Sequence, residues 1–99
     1  VMEYNLDKCE EIYAKLLLFF GTEEEYMNTP KEKRAEKLIE KVRNMINDLH
    51  EKTGLPNKLE ISDEEIEKVA KTAINDGAII VNPKKADFED IVEILRKAR

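Results

Sequence analysis

Apolar residues recur at three- and four-residue spacings in four stretches of the chain, the period of amphipathic helices. In the first, Leu6, Cys9, Tyr13, Leu16, Leu17 and Phe20 share a face, and Gly21 follows as a stop. Its run Leu16-Leu17-Leu18-Phe19-Phe20 is far too short to span a bilayer and reads as a buried helix end. The second stripe is Ala35, Leu38, Ile39, Val42, Met45, Ile46 and Leu49, opposite Lys33, Glu36, Glu40, Lys41, Arg43, Asn44, Asn47 and Asp48. The third is Ile66, Val69, Ala70, Ala73 and Ile74, and the fourth is Phe88, Ile91, Val92 and Leu95.

Start and stop residues frame these stripes. Thr29-Pro30-Lys31-Glu32 predicts a helix start, with Thr29 as cap, Pro30 in the first turn and Glu32 completing a capping box. His50 and Lys52 suit the negative end of that helix, and Thr53-Gly54 closes it before Leu55-Pro56. Ser62-Asp63-Glu64-Glu65 is a second capping box, and Asn75-Asp76-Gly77 ends the third helix. Asp87 caps the last helix, which Lys97 and Arg99 finish. Thr22 to Asn28 is short and acidic and reads as a solvated connection. Ala78-Ile79-Ile80-Val81 has the composition of a strand but no second strand to pair with, so it reads as a buried turn or irregular segment. The expected fold is an all-α helical bundle of about four main helices, a single domain over residues 1–99.

Composition narrows the function. With 39% charged and 41% hydrophobic residues, the chain is neither a membrane protein nor compositionally disordered. Three glycines and three prolines are too few for a sandwich or barrel. The net charge of −5 argues against nucleic acid as a partner. One cysteine excludes an internal disulfide and a multi-cysteine zinc site, and one histidine excludes a histidine cluster. The start at Val1-Met2 fits a trimmed, processed or partial chain. It lacks the basic region of a signal peptide, and a reducing, cytoplasmic home is expected.

Single residues weigh toward structure. His50 reads as a helix-end cation, and Cys9 as a small buried hydrophobe beside Asp7 and Glu10, which would not activate a thiol. Glu23-Glu24-Glu25 and Asp63-Glu64-Glu65 read as solvated or helix-dipole carboxylates rather than a cation site. Tyr4 and Tyr13 are expected to pack, with no His or Lys placed to activate them. No glycine-rich phosphate loop is present. No catalytic, cofactor-binding or metal-ligating residue is therefore expected from these residues alone.

Four short segments carry a resemblance. They are Val1-Met2-Glu3-Tyr4-Asn5; Gly54-Leu55-Pro56-Asn57-Lys58-Leu59; Ser62-Asp63-Glu64-Glu65-Ile66 with Ala70, Ala73 and Asp76; and Asn82-Pro83-Lys84-Lys85-Ala86-Asp87-Phe88-Glu89-Asp90-Ile91. In order and spacing they resemble the carboxyl-terminal helical part of the iron-containing (type III, metal-dependent) alcohol dehydrogenase family, whose helical domain has the dehydroquinate synthase-like fold. The acidic stretch Gly21 to Pro30 is less similar. The resemblance implies an enzyme with an amino-terminal α/β domain for NAD(P) and a helical domain holding iron or zinc through one Asp and three His. There the metal polarises the alcohol or aldehyde oxygen and hydride passes to or from the nicotinamide. In the family the last ligand His lies shortly before the segment similar to Val1, so none of the four ligands, nor the phosphate loop, has a counterpart among these residues. Ala78, two residues after Asp76, is similar in position to a pocket-lining Cys of some members, and is implied as a substrate-pocket wall.

Three functional readings follow. The first is a terminal helical part of an NAD(P)- and metal-dependent alcohol dehydrogenase, structural by itself, with the remainder of the dehydrogenase as partner. The second is a stand-alone helical interaction module that takes a partner helix in an apolar groove. The third is a self-associating bundle, a homodimer driven by exposed apolar surface. Neither nucleic acid nor membrane is an expected partner.

Overall fold

A computed structural model describes residues 1–99. Every regular element is helical, as the spacing predicts: α1 (Met2–Phe20), α2 (Glu23–Asn28), α3 (Arg34–Thr53), α4 (Asp63–Ile74) and α5 (Phe88–Ala98). Two short 3-10 turns, Lys31–Lys33 and Gly77–Val81, complete them, and there is no strand. The chain divides into two compact units, Val1–Asn57 and Lys58–Arg99. No helix is long and apolar enough to cross a membrane.

In the first unit, α1 packs along α3. The helix begins at Met2 rather than Leu6, because the Val1 carbonyl already accepts from the Asn5 N–H at 3.0 Å. Glu3, favourable in the first turn, pairs with Arg43 of α3. Cys9 and Leu17 of α1 and Ala35, Leu38 and Ile39 of α3 are buried. The apolar run Leu16–Phe20 is not the buried helix end its composition suggests. Only Leu17 is enclosed, and Phe19 is 82% exposed. Successive residues point about 100° apart around a helix, so a single packed face cannot take five in a row. Burial on α3 is likewise confined to its first half, and Met45, Ile46 and Leu49 are exposed.

The acidic connection is a helix. Thr22 Oγ1 accepts from the Glu25 N–H at 3.1 Å, and three glutamates occupy the first turn of α2. Six residues are too few to hold a helix alone. Two residues of α3 anchor it. The Arg34 guanidinium lies 3.9 Å from the Tyr26 ring centroid, and its Nε donates to the carbonyls of Tyr26 and Thr29, both at 3.1 Å. Lys41 pairs with Glu25 at 2.7 Å. Gly21 leaves the space this pair needs: a Cβ there would meet Glu25 Oε2 at 2.7 Å and the Lys41 Cε at 3.1 Å.

This anchoring also displaces the helix start expected at Thr29. The Thr29 N–H and hydroxyl both donate to the Glu25 carbonyl, at 3.0 and 2.7 Å, so the residue closes α2. Pro30 leads instead into the 3-10 turn, and α3 begins at Arg34 without a side-chain cap. The far end of α3 is as expected: Gly54 takes the left-handed conformation, φ 74°, and its N–H reaches the His50 carbonyl.

The second unit rests on two capping boxes. Ser62 and Glu65 start α4, and Asp87 and Asp90 start α5, each pair exchanging both bonds. Ile66 and Ala70 of α4 bury against Ile91 and Val92 of α5, with Ile61, Ala73, Ile74, Ile79, Ala86, Phe88 and Leu95 around them. Val69, expected in this stripe, lies outside it and is exposed. The ends of the unit are tied: the Leu59 N–H donates to the Ala98 carbonyl at 2.8 Å, and Arg99 reaches Asp63 at 3.0 Å.

Candidate functional site

The segment between α4 and α5 is built from local hydrogen bonds. Asn75 ends α4 in a helical conformation, with its N–H directed to the carbonyls of Thr72 and Ala73. Asp76 then turns the chain: its carboxylate accepts from the Ala78 N–H at 2.8 Å, and its carbonyl accepts from the Ile79 N–H at 3.2 Å. The resulting 3-10 turn repeats every three residues, so only part of an apolar run can face the core. Ile79 does so. Ala78 is exposed, and Ile80 and Val81 are 83% and 82% exposed. The expectation of a buried turn is thus corrected for three of the four residues. The segment presents hydrocarbon, and its one carboxylate is engaged with its own backbone.

Groups able to do chemistry are dispersed, and several are engaged by neighbours. His50 Nδ1 lies 2.7 Å from the Leu55 carbonyl and links the end of α3 to the turn beyond Gly54. Cys9 is buried and unpaired. Asp63 pairs with Arg99 and Glu64 with Lys68. The two bonds from Ser62, backbone first, hold the Glu65 carboxyl below its ordinary value, and Lys41 does the same for Glu25. No group of three or more His, Cys, Asp or Glu is arranged to hold a metal ion.

One polar feature was not legible in the sequence. Asn5 is buried on α1, four residues before Cys9 and eight before Tyr13, hence on one face. Burial raises the Tyr13 hydroxyl above its ordinary value. Cys9 adds to this by charge and by hydrogen bonding, while a hydrogen bond with Asn5 opposes it. No buried side-chain nitrogen or oxygen lacks a partner.

The model for the Fe-containing alcohol dehydrogenase family, C-terminal, matches residues 1–99. The chain belongs to that family. Comparison with curated proteins and with solved structures gives no match. Within the family's C-terminal part, Ala78 sits on the exposed 3-10 turn after α4, beside Ile80 and Val81. The single histidine contacts a loop carbonyl, the single thiol is enclosed, and Glu65 and Asp63 are held by a cap and by Arg99.

Proposed function

We propose that this chain is the carboxyl-terminal helical part of an NAD(P)- and divalent-metal-dependent alcohol dehydrogenase, and that it forms one wall of the substrate cleft. The family match over residues 1–99 supports the parent activity. The observation that carries the wall role is the 3-10 turn Gly77–Val81, which holds Ala78 exposed beside Ile80 and Val81. A surface of this kind excludes water and contacts the apolar part of an alcohol; it donates no hydrogen bond from a side chain. The metal and the dinucleotide belong to other residues of the enzyme, and the isolated chain is inactive. The buried, unpaired Cys9 supports a cytoplasmic enzyme.

Two measurements test this reading. The purified 99-residue chain, given an alcohol, NAD+ or NADP+, and Fe2+ or Zn2+, produces no reduced nicotinamide at 340 nm; turnover would overturn the assignment of chemistry to other residues. In the enzyme containing this segment, Ala78→Trp raises KM for a bulky alcohol and leaves the cofactor KM unchanged. An unchanged alcohol KM would remove the wall role.

A further inference from the structure

The exposures along the 3-10 turn Gly77–Val81 follow its three-residue repeat. The Ile79 N–H donates to the Asp76 carbonyl and the Asn82 N–H to the Ile79 carbonyl, both at 3.2 Å. Residues three apart in such a turn eclipse one another, so its side chains fall into three rows. Ile79 and Asn82 form the inward row. Both are half-buried, Ile79 against the core between α4 and α5, and the Asn82 side chain donates to the Lys84 carbonyl. Gly77 and Ile80 form a second row, with a side chain only at Ile80. Ala78 and Val81 form the third, and both are exposed. A rise of about 2 Å per residue sets these two about 6 Å apart along one side of the turn.

We propose that Val81 is the second substrate-contacting residue of the cleft wall, and that the Ala78–Val81 row selects alcohols whose carbon chain bears no second hydroxyl. This rests on the wall role proposed for Ala78. An alcohol that meets the Ala78 methyl and continues along the row meets Val81 next. Neither side chain has a donor or an acceptor, and the Ala78 N–H is already given to the Asp76 carboxylate at 2.8 Å. A methylene laid on this row leaves water for hydrocarbon, which is favourable. A hydroxyl laid there loses its water and gains no side-chain partner, which is unfavourable. A hydrocarbon wall rejects an added hydroxyl by at most about a hundredfold, so the preference for the simple alcohol is about 10- to 100-fold in kcat/KM. Ile80 stands a third of a turn away, beside this row and not in it.

Val81→Thr tests the proposal in the enzyme containing this segment. Threonine keeps the branched shape and brings a hydroxyl to the wall, and an 82% exposed position tolerates the change, so the melting temperature is unaltered. Steady-state kinetics compare 1-butanol with the three butanediols that carry a primary hydroxyl. The unsubstituted enzyme prefers 1-butanol to each diol. Val81→Thr narrows that preference about five- to tenfold for the diol whose second hydroxyl meets residue 81, and changes kcat/KM for 1-butanol little. Ile80→Thr narrows it less. Diols accepted as readily as 1-butanol by the unsubstituted enzyme would overturn the proposal. So would a Val81→Thr effect that is equal for all four alcohols, no effect at all, or a larger effect from Ile80→Thr. Ala78→Trp separates two kinds of failure. If it raises the alcohol KM while Val81→Thr leaves the preference fixed, the wall role stands and selection by Val81 fails; if neither variant acts, the wall role has failed as well.

Discussion

Ile66→Ala should remove more stability than any other single truncation in α4. Ile66 is 0% exposed and sits against Ala70, Ile91 and Val92. The substitution deletes three carbons, worth about 2.4 kcal/mol at roughly 0.8 kcal/mol per buried methylene. The cavity left between α4 and α5 adds to this, and measured losses for such truncations run from about 2 to 5 kcal/mol. A loss of about 3 kcal/mol is the expectation. With a urea dependence of roughly 1 kcal/mol per molar for a chain this small, the midpoint falls by about 3 M. Val69→Ala is the control. Val69 lies three residues further along the same helix and is 42% exposed. Its truncation leaves no cavity, and alanine is the better helix former by about half a kcal/mol, so stability is unchanged or slightly raised. Urea unfolding followed by circular dichroism at 222 nm measures both. Equal losses for the two variants, or a loss under about 1 kcal/mol for Ile66→Ala, would refute the packing assigned to α4.

Gly54→Ala should cost about 1–2 kcal/mol through the backbone alone, because φ is 74° and a Cβ there meets nothing within 4 Å. Gly54→Asn costs less, since asparagine tolerates the left-handed conformation, and thermal melts order the three proteins. Lys41→Met should release the Glu25 carboxyl, which Lys41 holds below its ordinary value of 4.5. A depressed folded value stabilises the fold above the ordinary carboxylate range, and that stability is lost as pH falls through the folded value. NMR titration therefore shows Glu25 moving up toward 4.5 in the variant, and the fall in melting temperature on acidification becomes shallower. An unmoved Glu25 titration excludes the ion pair as the cause.

The parts of the fold legible in the sequence are those whose determinants are local. Ser62-Asp63-Glu64-Glu65 and Asp87 name their helix starts because a capping box is complete within four residues. Gly54 names its stop because the αL position asks for glycine. Helix α2 was hidden for the opposite reason. Its anchors, Arg34 and Lys41, come from eight and sixteen residues away from Tyr26 and Glu25 and leave no periodic trace. The same contacts draw Thr29 into α2, so a sequence with the form of a helix start does not start one. Exposure of Ile80 and Val81 was hidden because composition predicts burial, whereas the three-residue repeat of a 3-10 turn decides which side chain points inward. For the candidate site, the resemblance implies only the position of Ala78, and the exposed apolar surface around it comes from the 3-10 turn.

That surface limits what the chain can contribute to catalysis. Charge is abundant, yet the carboxylates flanking the turn in sequence are engaged: Asp76 by the Ala78 N–H, Asp87 and Asp90 by each other's backbone. Under the proposed function the 3-10 turn acts by contact, displacing water from beside reacting groups carried on other residues, where a drier environment strengthens every electrostatic interaction. This predicts a particular split for Ile80→Ser in the enzyme containing the segment. The substitution admits water and a hydroxyl without removing any chemical group, so kcat/KM falls for long apolar alcohols and stays nearly constant for the shortest ones. Steady-state kinetics across a series of straight-chain alcohols measures it, and an equal fall for every chain length would instead assign Ile80 to holding the fold.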